Sequence, residues 1–407
     1  MTIPWFLSKS LREALEGYKH VKKLYLAQRD LISPQGQVEV TTALTQIHAK
    51  INSKTSDEEI QKEITSLGKV AEKWLKPYPH SEWRENIEVL LVAIAVAMAV
   101  RTFFLQPFKI PTGSMQPTLY GIEYEPFDDK PSALKRYWDA CVHGEFYHQL
   151  LAEDDGVIVS IGKPEKASRF VNKLILTMGY TGPGGNYNKA HTIWFAPEDD
   201  QKFRAKAGLY ENRRFKKGDK IFSMKEVTGD HLFVDRLTFN FRKPERGDVV
   251  VFQTRGIYHP SMPQDQFYIK RLVGLGGETL SIGNDHHTVV DGKRLDASTP
   301  HFEKVYTFES KFEENHYFGH VNQFAAEVVD PKYRMYQLAP NFPTESSTFT
   351  VPLRRYMVFG DNTMNSSDSR TWGTFPQENI IGKSFFVYWP ISNHGESRFG
   401  WSHLATR

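Results

Sequence analysis

The 407 residues contain a single cysteine, Cys141. No intrachain disulfide can form, and a catalytic thiol would need a positioned histidine that no spacing here supplies. Cys141 therefore reads as a free buried thiol, and the shortage of cysteine leaves the redox compartment open. A large excess of charge of one sign is lacking as well, with 51 Lys and Arg against 48 Asp and Glu. The net charge of +3 gives no electrostatic ground for a nucleic-acid partner. The first residues lack a long apolar core, so no cleavable leader is expected. Gly182-Pro183-Gly184-Gly185 lacks the Gly-Lys-Ser/Thr ending of a phosphate loop and reads as a turn. No β-α alternation runs through the second half, which argues against a parallel α/β fold. Nothing in the pattern calls for a cofactor or a metal.

What is present divides the chain. Residues 1–84 are charged and repeat apolar residues at helical spacing over 8–29 and 57–75, for example Leu11, Leu15, Tyr18 and Val21. Residues 32–37, with Pro34 and Gly36, read as a break between these helices. Composition changes sharply near Ile87. Every residue from 89 to 100 is Val, Leu, Ala, Ile or Met, and after Arg101 the apolar character resumes at Phe103, Phe104 and Leu105. At about 1.5 Å per residue a helix over 87–105 is roughly 28 Å long, close to the hydrocarbon thickness of a bilayer. The competing reading is a buried core helix. We expect a membrane span over 85–105. Lys69, Lys73, Lys76 and Arg84 precede it, while only Arg101 and Lys109 follow before Lys130. That asymmetry places the N-terminal region in the cytoplasm.

Beyond residue 106 the pattern is mainly β. Residues 249–252, 267–275, 279–282, 288–295, 356–359 and 384–389 read as strands, with Asp291-Gly292 as a hairpin turn. Three stretches carry candidate chemistry. In the first, from Gln106 to Leu119, Ser114 sits in a Gly-Ser turn between prolines. In the second, Tyr268, Lys270 and Leu272 share one face of an apolar strand. In the third, Gly360-Asp361-Asn362 leads to Ser366, Asp368 and Arg370. Taken singly, each reads as an ordinary turn, an edge-strand lysine or a hydrogen-bonded loop.

Taken together and in order, they resemble the bacterial type I signal peptidase family. Ile110-Pro111-Thr112-Gly113-Ser114-Met115 resembles its nucleophile box. The segment from Pro244 to Phe252 resembles its next box, Tyr268 to Glu278 its lysine box, and Gly360 to Arg370 its last. The resemblance implies a mainly β catalytic domain, 106–407, after one transmembrane helix and an α-helical N-terminal region. It implies Ser114 as nucleophile and Lys270 as general base, with the Ser114 N–H and the Thr112 hydroxyl as oxyanion hole. Ser366 would orient Lys270. Arg271 with Asp361, and Asp368 with Arg370, would be supporting ion pairs. Phe108, Ile110, Pro111, Met115, Leu119 and Ile269 would line shallow pockets suited to Ala-x-Ala signal peptides. Secretory preproteins and membrane lipid would be the partners, and the bacterial inner membrane the location.

The chemistry agrees with the resemblance. A lysine near its ordinary pKa of roughly 10.4 is protonated at neutral pH and cannot act as a base. Burial against Tyr268, Ile269 and Met115 would lower it. Two departures are visible. Thr363 stands where the family often carries arginine. Some hundred residues also separate the nucleophile box from the Gly229-Asp230 strand, so 121–228 reads as an α+β insertion. Other Ser–Lys proteins, the self-cleaving repressors, should carry a DNA-binding domain and no span. The endoplasmic-reticulum type has histidine where Lys270 stands. A non-catalytic membrane scaffold that kept the fold is the alternative from another class.

Overall fold

The computed structural model describes residues 9–53, 56–76, 81–167, 172–182, 185–194, 200–260, 262–307 and 317–401. The chain divides into two compact units, 1–96 and 97–407. In the first, helices α1 (Lys9–Gln28), α2 (Pro34–Ser53) and α3 (Asp57–Trp74) each bury one stripe. Leu11, Ala14, Val21 and Leu24 of α1 meet Val40, Ala43, Leu44 and Ile47 of α2 and Ile60 and Leu67 of α3. These spacings of three, four and seven keep the apolar side chains on one helix face. Asp57, Glu58 and Glu59 open α3, where carboxylates favour the positive end of the helix dipole.

The expected break at 32–37 is shorter than the sequence suggested. Pro34 starts α2, because its missing N–H costs nothing in a first helical turn. Gly36 lies inside the helix and allows close packing: a Cβ there would meet Ile32 at 2.5 Å and Trp74 at 2.7 Å.

Helix α4 runs over Ser81–Phe103. Its window Asn86–Phe103 has a mean hydropathy of 1.8 and none of it is buried, so it does not pack as a core helix. Among the described residues it is the one helix long and apolar enough to cross a bilayer. It stops two residues short of the expected 105. Phe104 N–H still donates to the Val100 carbonyl at 2.9 Å, but Leu105 already begins a strand. Gln106 precedes Pro107, a position that disfavours helical backbone, and strand pairing takes over.

The second unit is built on an antiparallel sheet of β1 (Leu105–Lys109), β2 (His231–Asp235), β3 (Val249–Gln253), β4 (Phe267–Gly274), β5 (Arg355–Phe359) and β6 (Ile380–Trp389). The spatial order is β1-β2-β6-β3-β4-β5, extended by Phe375–Pro376 beyond β5 and by Gly400–Trp401 beside β6. Both faces of the centre are covered. Val249 and Val251 join Ile110, Met115, Leu119, Leu232 and Val234 on one side. Val250 and Phe252 join Leu272, Val358, Trp372 and Phe375 on the other. The period of two along β3 sends alternate side chains into two cores, which is why this strand reads as an unbroken apolar run.

A four-stranded sheet follows from Thr279–Ile282, Thr288–Val290, Lys293–Arg294 and Phe349–Thr350. Its hairpin turns at Asp291 and Gly292, with φ of 49° and 78°, the left-handed pair that a two-residue hairpin requires. Between β1 and β2 the chain forms two further sheets. One has three strands, Glu123–Pro126, Lys220–Val227 and Glu145–Leu151, and the other has five, including the hairpin Asn172–Gly182 and Gly185–Trp194. They share a core of their own around Ile158, Met178, Tyr180, Phe203 and Phe222. Gly182 and Gly185 pair at the end of the hairpin, and Pro183 and Gly184 lie outside the described residues. Cys141 is exposed rather than buried, because the short helical turn Asp139–His143 holds it at the surface.

Candidate active site

The turn that carries Ser114 is gripped by backbone. After β1, the Ile110 N–H donates to the Asp230 carbonyl at 2.9 Å, and Gly113–Met115 closes into one tight turn with Gln116 N–H on the Gly113 carbonyl at 3.2 Å. Two glycines permit the close approach. A Cβ on Gly229 would lie 1.8 Å from the Ile110 oxygen, and one on Gly360 would lie 2.5 Å from the Ser114 oxygen. Asn362 fastens the turn from the far side. Its N–H donates to the Ser114 carbonyl at 3.1 Å and its Nδ2 to the Gly113 carbonyl at 3.0 Å.

Lys270 comes from β4, opposite Val250 of β3. Its Nζ donates to Ser114 Oγ at 2.6 Å and to the Ile269 carbonyl at 3.1 Å. Lys270 is 5% exposed and Ser114 6%. The Tyr268 ring lies 5.7 Å from Nζ. Burial lowers the Lys270 pKa to about 8, against the pull of Asp368 and Asp361, which favour the ammonium; Arg370 adds to the lowering.

Two buried ion pairs frame the dyad. Arg271 meets Asp361 with two hydrogen bonds, Nε to Oδ1 at 2.7 Å and Nη2 to Oδ2 at 2.5 Å, and also donates to the carbonyls of Gly247 and His301. Thr118 bridges them, donating to Asp361 at 2.5 Å and accepting from Arg271 at 3.0 Å. Arg370 grips Asp368 at 2.9 and 2.7 Å, and the Gly360 N–H donates to the same carboxylate at 2.9 Å. Burial pushes the Asp368 carboxyl up, but Arg370 and the hydrogen bonds outweigh it and hold the pKa below the ordinary value. Thr363, where the resemblance led to arginine, accepts from Arg370 Nη1 at 2.6 Å and from the Val321 N–H at 3.0 Å. A hydroxyl there completes the shell of Arg370.

Other expected residues divide. Ile110, Met115 and Leu119 are buried in one cluster, with Phe108 and Ile269 packed against it. Phe108 meets Phe267 edge-on at 5.6 Å. Pro111 is exposed and outside that cluster. Thr112 is exposed in extended backbone just before the turn, and its side chain does not cap it. Ser366 is buried, but its Oγ has no hydrogen-bond partner within ordinary distance and does not reach Lys270; the Asp368 carboxylate is near enough to be influenced by it. The Lys270 ammonium is directed at Ser114 and the Ile269 carbonyl instead.

Sequence reasoning missed several supports. Asn362 and Thr118 lie inside quoted motifs, so their types were visible though not their partners. The pair of Asp230 with Arg398, at 2.5 and 3.2 Å, had no local signal. Arg398 also donates to the Thr118 carbonyl at 3.0 Å, and Asp230 accepts from the Tyr120 N–H at 2.8 Å. Among the described residues, no group of three or more His, Cys, Asp or Glu side chains is placed to hold a metal.

The profile of the family described as signal peptidase, peptidase S26, matches residues 83–131 and 221–389, together more than half of the chain. The stretch it leaves between them holds the five-stranded sheet. Signal peptidase I of Leptolyngbya laminosa is 29% identical over 168 residues, 41% of this chain and 64% of that protein. Signal peptidase I of Aquifex aeolicus is 32% identical over 186 residues, 40% of this chain and 70% of its own. A probable thylakoidal processing peptidase of Arabidopsis thaliana is 32% identical over 166 residues, 40% of this chain and 34% of its own. The chain thus spans less than two thirds of the length of the Leptolyngbya relative. A crystal structure of a signal peptidase I from Enterococcus faecalis, 28% identical, overlaps 35% of this chain and 97% of that one with a TM-score of 0.23, too low to bear on the fold.

Proposed function

Because this chain belongs to the signal peptidase family, peptidase S26, we propose that it is a membrane-bound serine endopeptidase that removes signal peptides from exported preproteins. The observation that carries this reading is the 2.6 Å bond between Lys270 Nζ and Ser114 Oγ in a buried setting that lowers the lysine pKa to about 8. A serine hydroxyl is a weak nucleophile until an adjacent base accepts its proton. A lysine with pKa near 8 is partly neutral at physiological pH and can do so.

Neutral Lys270 takes the Ser114 proton as Oγ attacks the scissile carbonyl, and returns it to the leaving amine. The Ser114 N–H and the Thr112 hydroxyl receive the developing oxyanion; such donors typically contribute about 3–4 kcal/mol each. Water, activated by Lys270 in turn, releases the acyl group. The two ion pairs hold the loops. Phe108 and Ile269, half-buried over the cluster of Ile110, Met115 and Leu119, offer an apolar wall suited to small side chains, as in Ala-x-Ala, with Pro111 at its rim. The span is α4, single-pass, with 1–84 cytoplasmic and the peptidase domain outside the inner membrane. Purified protein mixed with a preprotein tests this reading. Release of the signal peptide by the parent and none by Ser114→Ala is expected; equal cleavage by both would refute it.

A further inference from the structure

Gln116 lies two residues beyond the candidate nucleophile and is 4% exposed. Its carboxamide is the centre of a chain of hydrogen bonds. Nε2 donates to Glu123 Oε1 at 2.5 Å, while Oε1 accepts from Asn362 Nδ2 at 3.4 Å and from the Tyr317 hydroxyl at 3.3 Å. The orientation of the amide is fixed by its neighbours, since a carboxylate only accepts and Asn362 Nδ2 only donates. The carboxamide lies over the turn: a Cβ on Gly113 would be 2.7 Å from Gln116 Oε1. Asn362 Nδ2 also holds the Gly113 carbonyl, and its N–H holds that of Ser114. Asn362 Oδ1 is buried with no partner. Its position is thus set by the carbonyls it grips and not by its own full satisfaction. At the other end, Glu123 opens the strand Glu123–Pro126, which pairs with Lys220–Val227 in the three-stranded sheet.

We propose that Gln116 and Glu123 are positioning residues for Ser114. The Glu123 carboxylate orients the Gln116 carboxamide, which sets Asn362, which fixes the two carbonyls of the turn and thereby the direction of Ser114 Oγ. The inference rests on Ser114 being the nucleophile. Neither residue touches the reacting atoms, so loss of the chain displaces the nucleophile without removing the base. A displacement of about 1 Å can cost on the order of a hundredfold in rate.

The test is steady-state cleavage of a preprotein by the full chain in detergent, with amide hydrogen exchange on the same samples. Gln116→Glu sets two carboxylates face to face. It should lower kcat by about ten- to a hundredfold with KM within about threefold, and speed exchange of the Gln116 and Asn362 amides at least about tenfold. The pair Gln116→Glu with Glu123→Gln rebuilds the bond with donor and acceptor exchanged, and should recover both readouts to within about threefold of the parent. Gln116→Met, which removes the bonds without adding charge, should lose rate and gain nothing from Glu123→Gln; it stands in if Gln116→Glu does not fold. A Gln116→Glu protein within threefold of parental kcat, or a double variant no better than the single, overturns the proposal. If the parent cleaves no preprotein, the functional reading fails on its own. The exchange data then still decide: faster exchange that the double variant restores supports the chain, and unchanged exchange overturns it.

Discussion

In the proposed mechanism Lys270 is the general base, and its burial has two measurable consequences. It acts as a base only when neutral, so the acid limb of the pH profile of kcat/KM should fall near pH 8, following its lowered pKa. A limb at the ordinary lysine value near 10.5 would mean the ammonium is not desolvated. Stability follows by linkage. The folded pKa, about 8, lies below the reference value of 10.5, so between these values the unfolded chain binds more protons and stability rises with pH. Below pH 8 the penalty is complete, on the order of 3 kcal/mol. Lys270→Met should therefore be inactive but melt at or above the parent at pH 7, with the advantage shrinking by pH 10. Ser114→Ala and Lys270→Ala should each reduce preprotein cleavage more than about a thousandfold while leaving the melting temperature within a few degrees; residual activity within tenfold of the parent would remove either residue from the mechanism. Ser114 and Lys270 were legible because each stands in a short local motif. Gln116 was not, since its partners Glu123, Tyr317 and Asn362 are brought to it only by the fold.

At the level of elements, the loop after β5 is organised by a pair with no exposure at all, Asp368 with Arg370. Removing one partner leaves a buried charge unpaired, typically at a cost of about 3–5 kcal/mol. Arg370→Ala should lower the denaturant midpoint accordingly, and Asp368→Asn added to it should restore part of the loss. A midpoint unchanged in Arg370→Ala would show the loop indifferent to the pair. Strands β3, β4, β5 and β6 were legible from their β-branched and apolar residues, most plainly β3, whose two faces are both covered; β1, with Gln106, Pro107 and Lys109, was not. The end of α4 was not legible, because apolar residues continue past Phe103 while the backbone changes partner, from the Val100 carbonyl to the β1–β2 ladder. The strand Asn172–Gly182 carries a clear alternation, with Leu174, Leu176, Met178 and Tyr180 buried. It lies in the stretch that the motifs leave blank, so nothing pointed to its place.

For the molecule as a whole, the proposed topology has a direct test. Protease added to spheroplasts should digest the region after residue 106 and spare residues 1–84; the reverse pattern would invert the orientation. The clamp on the Ser114 turn bears on the order in which the protein is made. Arg398 reaches back 280 residues to Thr118, and Asn362 reaches back 249 to Gly113. At a synthesis rate of about 5–20 residues per second, the serine leaves the ribosome tens of seconds before its last restraint exists. On the topology proposed above, α4 enters the bilayer within that interval. On the proposed function, the 280 residues between Thr118 and Arg398 give the site a latency, since the candidate nucleophile stays unassembled until the end of the chain is made.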